Sequence, residues 1–326
     1  MMRISVALCT YNGQPYLPEQ LASIAAQDRP PDEVVACDDG STDATLDLLG
    51  RFASESPFPV RVVRNSTNLG SAGNFGQAIG LCTGDVIATA DQDDAWLPHK
   101  LARIESTFEA NPGAGLVFSD ADLIDDRGQP IGVRLWEAAG LSSGRAGRIA
   151  RGEALQVLLR RPVVTGAASA FRAEFRALVL PIPAGVVHDE WIATLVAAVA
   201  ALVPIAEPLM RYRRHGGNQV GVAEPGLASR LRKTLAPGSQ RARSAIFAER
   251  AATFGLIRDR LAGRRPDLGA ALGRIDDKIR HVEALARLPR GRLARLPGLA
   301  AELASGRYAR ASGSWLAVVR DLLARP

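Results

Sequence analysis

The sequence predicts an α/β fold whose mostly parallel sheet is covered by helices. Two observations lead there: strand-type and helix-type patterns alternate over roughly the first 120 residues, and the polar clusters fall where strand patterns stop. Residues 4–9 form a short apolar run, and residues 16–26 carry Leu17, Leu21 and Ile24 at helical spacing. Residues 33–37 read as a second strand ending in Asp38-Asp39-Gly40-Ser41. Thr42-Asp43 then opens a helix through Leu46, Leu49 and Phe52, with Ser41 or Thr42 as its N-cap. A strand over 60–64, a helix over 74–81 and a strand over 85–90 follow, the last stopping at Asp91-Gln92-Asp93-Asp94. A helix over 97–108 leads to a strand over 116–119, then a Gly-rich irregular stretch to about Ile149. Beyond it come a helix over 152–159, a strand over 163–171, the run Val187-His188-Asp189-Glu190-Trp191, an apolar helix entering a strand, and a strand over 209–213. In such sheets ligands sit at the carboxyl ends of the strands, so the clusters after the first, second and fourth strands are expected to share one crevice.

Composition sets the outer limits. With 326 residues, 47% hydrophobic and 23% charged, the chain can build a large core, and disorder throughout is excluded. Three cysteines, Cys9, Cys37 and Cys82, are too few and odd in number for a disulfide framework, which fits a reducing cytoplasm. The N-terminal apolar run is short for a signal peptide, and residues 191–206 fall short of the roughly 20 residues that span a bilayer. The net charge of +6 is unevenly spread. From Gly226 onward there are 21 Lys+Arg against 8 Asp+Glu, whereas the first 225 residues hold 19 against 26. Residues 244–261 and 268–288 show helical periodicity with arginines opposite the apolar stripe, which predicts two or three amphipathic helices in a basic tail. Such a tail suits an anionic partner, lipid or nucleic acid.

Three carboxylates within four residues, Asp91, Asp93 and Asp94, repel one another unless a hard cation or donor groups neutralise them. Mg²⁺ or Mn²⁺ takes one or two carboxylates plus diphosphate oxygens, so a short Asp-x-Asp suits a metal–nucleotide complex; an acidic turn with a capping Asp is the plainer reading. The cluster 38–43 reads as a turn and N-cap, or as a carboxylate accepting from the imide N–H of a pyrimidine base.

Taken in order, Ser5-Val6-Ala7-Leu8-Cys9-Thr10-Tyr11-Asn12-Gly13, Asp38 to Asp43, Asn68-Leu69-Gly70 with Asn74, and Asp91-Gln92-Asp93-Asp94-Ala95-Trp96 resemble the family 2 inverting glycosyltransferases of the GT-A fold. Thr165-Gly166-Ala167, His188-Asp189-Glu190-Trp191 and Tyr212-Arg213-Arg214-His215-Gly216-Gly217-Asn218 resemble its bacterial rhamnosyltransferase-type branch. The resemblance implies a GT-A catalytic domain over 1–225, with a nucleotide-sugar half over 1–118 and an acceptor half over 119–225, followed by the basic helical region 226–326. It implies nucleotide-sugar contacts from Thr10, Tyr11, Asn12, Asp39, Asn74, Asp91, Gln92 and Gly166. It implies a divalent Mg²⁺ or Mn²⁺ near Asp93 and His215, and Asp189 as the general base, with Glu190 as its competitor. The implied reaction moves a sugar from dTDP-rhamnose or a UDP-hexose to a glycan or lipid-linked acceptor. The place implied is the cytoplasm, at the inner face of the plasma membrane, with the basic tail on anionic lipid. Trp96 and Trp191 are read either as acceptor contacts or as core.

A nicotinamide dehydrogenase is excluded because Thr-Tyr-Asn-Gly, and no Gly-x-Gly-x-x-Gly, follows the first strand; no Walker sequence occurs either. The alternative from another class is a nucleic-acid- or anionic-surface-binding protein acting through its arginines. The tail has few aromatics to stack bases and no recognised binding motif, so no nucleic acid is expected.

Overall fold

The computed structural model describes residues 2–216, 239–312 and 315–324. Gly217 and Asn218 of the late motif, and the expected boundary at 225/226, lie outside the described residues. The chain divides into two compact units, one of residues 2–154 and 163–216, the other of Leu155–Pro162 with the described part of the C-terminal region.

The first unit is built on nine strands in the order β3-β2-β1-β4-β8-β6-β9-β5, with β7 paired to β6. Its first half runs β1 (Ile4–Thr10), α1 (Leu17–Ala25), β2 (Glu33–Asp38), α2 (Thr45–Glu55), β3 (Val60–Arg64), α3 (Gly70–Leu81) and β4 (Val86–Asp91). All seven residues of β1 are buried because parallel strands on both sides and helices on both faces leave it no solvent. Parallel pairing of β2, β1 and β4 brings Thr10, Asp38 and Asp91 to one rim: Thr10 lies beside Asp38, and Cys9 beside Asp91. Then follow β5 (Ala95–Trp96), α4 (Lys100–Ala110), β6 (Ala114–Ile124), β7 (Pro130–Arg134), α5 (Leu135–Ala139), α6 (Ser143–Arg148), α7 (Ala154–Arg160), which belongs to the second unit from Leu155 onward, and then β8 (Ser169–Arg172), α8 (Arg176–Val179), α9 (His188–Val199) and β9 (Ala201–Arg213) of the first.

Several expected elements shift for local reasons. Helix α2 starts at Thr45, not at Thr42, because Asp43 accepts from the Thr45 amide and hydroxyl while Ser41 Oγ accepts from the Asn12 amide. Helix α3 starts four residues early, at Gly70. Trp96 opens no helix; it sits in β5, paired with Met210 of β9, and α4 begins at Lys100. The strand expected over 163–171 shortens to β8, preceded by a 3₁₀ turn at Gly166–Ala168. The stretch expected to be irregular contains β7, α5 and α6, and the expected divide at 118/119 falls inside β6. Strand β6 outruns its apolar signal because Ser119 and Asp120 are buried within it, Asp120 accepting from the Ala121 and Trp136 amides. All three cysteines are free and buried.

The second unit holds four α-helices among its described C-terminal residues, α10 (Ser239–Arg264), α11 (Gly269–Ala286), α12 (Leu296–Ala304) and α13 (Trp315–Leu323). Phe254, Ile257, Leu261, Ile275, Val282, Leu285 and Leu299 are buried, so these helices form a core of their own. Charged groups are enclosed with them. Arg295, fully buried, donates to the carbonyls of Pro289, Arg290, Asp321, Leu322 and Ala324, three of which belong to the end of α13. A helix C-terminus leaves carbonyls without intrahelical donors, and one guanidinium satisfies several here. Arg295→Ala is therefore expected to cost about 2 kcal/mol of stability, read as a lower denaturation midpoint, because buried carbonyls lose their donor. No helix among the described residues is long and apolar enough to cross a membrane.

Candidate active site

The crevice is assembled at the carboxyl ends of β1, β2, β3 and β4. Asp38, fully buried, organises its floor: it accepts from the Gly40 and Ser41 amides and from the hydroxyls of Thr10 and Ser41. Thr10 is thereby committed to the scaffold. Asp39 turns the other way, accepting from the amides of Leu69 and Gly70 at 2.7 and 2.9 Å and from Asn65 Nδ2 at 2.8 Å. These amides open α3, where the helix dipole favours a carboxylate. Asn74 lies behind this layer, only 3% exposed, donating to the carbonyls of Thr10 and Cys37 and accepting from Asn65. The Asn74 amide is spent on the strand ends, so in this structure the residue braces the rim of the crevice. Tyr11, Asp39, Arg64, Asn65 and Asn68 line an open cleft of about 510 Å³.

Loops after β1 and β4 are clamped to each other. Gln92 accepts from the Tyr11 amide at 2.8 Å and donates to the Tyr11 carbonyl at 3.0 Å. Gly13 is required beneath this clamp, since a Cβ there would sit 2.3 Å from Gln92 Oε1. Asn12 adopts a left-handed backbone (φ 47°), and its side chain accepts from the Thr42 amide.

The acidic loop is held from β9. Arg213, 2% exposed, donates through its backbone to Asp94 and through its side chain to the Asp93 carbonyl and to Glu19. His215 Nε2 stands 2.8 Å from Asp93 Oδ2, and its ring packs against Tyr16. Asp94 is fully buried, and its Oδ2 has no hydrogen-bond partner among the described residues. Burial, then the charges of Asp93 and Asp189, raise the Asp91 carboxyl far above the usual range; burial, then Asp93 and Asp91, do the same to Asp94. Beneath them Lys100, fully buried, donates to the Ala167 carbonyl at 2.6 Å and lies over the Trp96 ring. Burial lowers its pKa against the opposing pull of Asp94 and Asp91.

The third part of the site comes from the 3₁₀ turn and the start of α9. The Gly166 amide donates to Asp189 Oδ2 at 3.1 Å, and the Glu190 amide to Oδ1 at 2.6 Å. Burial nonetheless raises Asp189 to about 6. His188 stacks on Phe75 with ring centroids 3.9 Å apart, and burial depresses it to about 4, so it is neutral. Its Nε2 lies against Gly166, where a Cβ would approach to 2.5 Å. Burial, then the charges of Asp94, Asp91, Asp93 and Asp189, raise the Tyr212 phenol, so its ring lies within electrostatic reach of all four carboxylates. Trp96 and Trp191 are 4% and 1% exposed, which makes both core residues and removes acceptor contact.

The predicted residues thus converge, with Asp91, Asp93 and Asp189 in electrostatic contact. Asn65 and Lys100 are absent from the sequence reading, whereas Asp38, Tyr212 and Arg213 stand in its motifs without an assigned role. Lys100 had a signal, since it falls on the buried stripe with Ile104 and Phe108 at four-residue spacing.

A parallel β2-β1-β4 core with an acidic loop at the β4 rim defines a GT-A fold of the nucleotide-sugar transferases. Solved structures bear this out. Staphylococcus aureus TarS 1–349 in complex with UDP-GlcNAc aligns over 99% of this chain and 90% of its own, with TM-score 0.56 and 16% identity. A mannosyltransferase from Pyrobaculum calidifontis in complex with GDP-Man and Mn²⁺ aligns over 99% and 85%, with TM-score 0.53 and 20% identity. At these identities the likeness is one of fold. The chain belongs to glycosyl transferase family 2, whose profile matches residues 5–173. An uncharacterized glycosyltransferase of Nostoc sp. is 32% identical over 221 residues, 67% of this chain and 66% of that relative. The abequosyltransferase RfbV of Salmonella typhimurium is 33% identical over 111 residues, 33% of each chain. The chain therefore spans less than two thirds of the length of these curated relatives.

Proposed function

We propose that this protein is an inverting glycosyltransferase that moves a sugar from a nucleoside-diphosphate donor to a hydroxyl of a glycan or lipid-linked acceptor. The observation that carries the reading is the meeting of Asp91, Asp93 and Asp94 on the β4 rim with Asp189 at the start of α9, from opposite halves of the unit. In an inverting transfer the acceptor oxygen attacks the anomeric carbon from the face opposite the diphosphate, so one carboxylate must take the acceptor proton away from the phosphate-binding groups. Asp189, fixed by two backbone amides, suits that task. Glu190 lies one residue further along the same helix turn.

Thr10, Tyr11, Asn12 and Asp39 frame the base and ribose side of the crevice, with Asn74 bracing them. Asp91, Gln92 and Gly166 face the donor between these two ends. The donor set fits a hard divalent cation: the Asp93 carboxylate and the His215 imidazole stand side by side at 2.8 Å, and the buried Asp94 Oδ2 finds no hydrogen-bond partner among the described residues. Among the described residues no three His, Cys, Asp or Glu side chains close around one point, so Asp93 and His215 would hold Mg²⁺ or Mn²⁺ together with donor oxygens and water. Once bound, the cation supplies positive charge for the departing diphosphate. Complexes with UDP-GlcNAc and with GDP-Man and Mn²⁺ on the same fold support donor and metal in general and do not choose the base. Our donor proposal is dTDP-rhamnose or a UDP-hexose. The proposed place of action is the cytoplasmic membrane face, with the basic C-terminal region on anionic lipid.

A panel of nucleotide sugars, assayed with Mg²⁺, with Mn²⁺ and with chelator, tests the reading. Release of nucleoside diphosphate from at least one donor, stimulated by metal and lost on chelation, is expected. Absence of binding and turnover across dTDP, UDP and GDP sugars would remove it.

A further inference from the structure

Residues 293–304 carry their polarity inside out. The 3₁₀ turn Leu293–Arg295 and helix α12 leave Leu293 82%, Leu296 46% and Leu303 50% exposed. Every other exposed position in this stretch is Ala, Gly or Pro. The charged members are the buried ones, Arg295 at 0% and Glu302 at 3%. Arg295 is spent on backbone carbonyls, and Glu302 is engaged by His281 and Arg307. A helix facing water alone shows the reverse arrangement, with charges outward and leucines inward. Leu296 and Leu303 lie two turns apart and so share one side of α12.

The approach to this apolar face is cationic. Arg287, Arg290 and Arg292 are exposed just before it, and the only acidic residue in 287–304 is the buried Glu302. Arg287 pairs with Glu283 at 3.2 Å across an exposed helix turn, and Arg292 donates to the Leu323 carbonyl, but such an exposed pair is weak and the stretch stays cationic in sum. Apolar side chains beside these arginines complement one surface closely, the phosphate-to-acyl boundary of an anionic bilayer. We propose that this face docks on anionic phospholipid, with Leu293, Leu296 and Leu303 entering below the headgroups and Arg287, Arg290 and Arg292 meeting lipid phosphates. The inference rests on the proposed lipid-side location only in giving that contact its residues.

Co-sedimentation of the full chain with phosphatidylcholine vesicles, with and without phosphatidylglycerol, tests it. Binding is expected to require phosphatidylglycerol and to weaken as salt shortens the Debye length. The triple variant Leu293→Asp, Leu296→Asp, Leu303→Asp should lose at least about tenfold in partitioning. Arg287→Gln with Arg290→Gln should bind less tightly and respond less to salt. Because all five positions are exposed, circular dichroism and the melting temperature should match the parent chain. Unchanged binding of the triple variant overturns the proposal, as does parent chain that ignores anionic vesicles. A concentration-dependent dimer that the triple variant abolishes, without vesicle binding, would assign the face to a second copy and also overturn it. In the parent chain, release of nucleoside diphosphate without vesicles reads the catalytic proposal separately: turnover with no binding to anionic vesicles sinks only the docking face, and vesicle binding with no turnover sinks only the chemistry.

Discussion

Asp189→Asn is expected to lower kcat by about 10³-fold while leaving the dissociation constant of the donor nearly unchanged, as befits removal of a general base. Asparagine keeps the size of the side chain, but its one carboxamide oxygen can accept from only one of the Gly166 and Glu190 amides, so an unchanged donor dissociation constant and melting temperature are what separate loss of the base from a shifted turn. Glu190→Gln gives the contrast: a fall of less than about tenfold is expected if Asp189 takes the proton, and the reverse ranking would transfer the role to Glu190. The pH profile supplies a second reading. Burial raises Asp189 to about 6, and the base works only when ionised. The kcat/KM should therefore fall as pH drops through about 6, and this limb should vanish in the residual activity of Asp189→Asn. An acid limb unmoved by the substitution would show that another group sets it.

Gly166→Ala is expected to cost about 10²-fold in kcat/KM, although it adds one methyl group and touches no charge. The added Cβ would fall 2.5 Å from His188 Nε2, and the His188 ring cannot simply retreat because Phe75 is stacked on it. The turn must move instead, taking with it the amide that holds Asp189 and the Ala167 carbonyl that receives Lys100. Pairing the change with His188→Ala frees the space, so partial recovery in the double variant separates a steric cause from loss of the glycine itself. Equal defects in single and double variants would defeat the account.

The sheet and its crevice were legible because alternating strand and helix patterns fix a parallel order, and that order places the loops after β1, β2 and β4 side by side. The three clusters 10–13, 38–43 and 91–94 could be read as one place before any side chain was located. What escaped were contacts made across the sheet. Nothing in the local run around Arg213 announces that it grips the Asp93 carbonyl, and β5 is a two-residue pairing too short to carry a period. Asp39 and Asn74 enter the sequence reading as nucleotide contacts through the family resemblance. Their carboxylate and carboxamide bonds to α3 and the strand ends become visible only when sequence-distant amides are brought to them. The tail showed its helices but not its core, since arginine-rich periodicity does not tell a solvated face from an enclosed one such as that of Arg295.

The grip of Arg213 on the acidic loop also has a bearing on biosynthesis. Asp93 and Asp94 leave the ribosome long before their clasp does, and β5 pairs with β9, more than a hundred residues downstream. A nascent chain that has emerged as far as residue 173 already carries the whole family-matched segment, yet its acidic loop still lacks the strand that fastens it. Fastening of the acidic loop therefore waits on a segment 120 residues further along the chain.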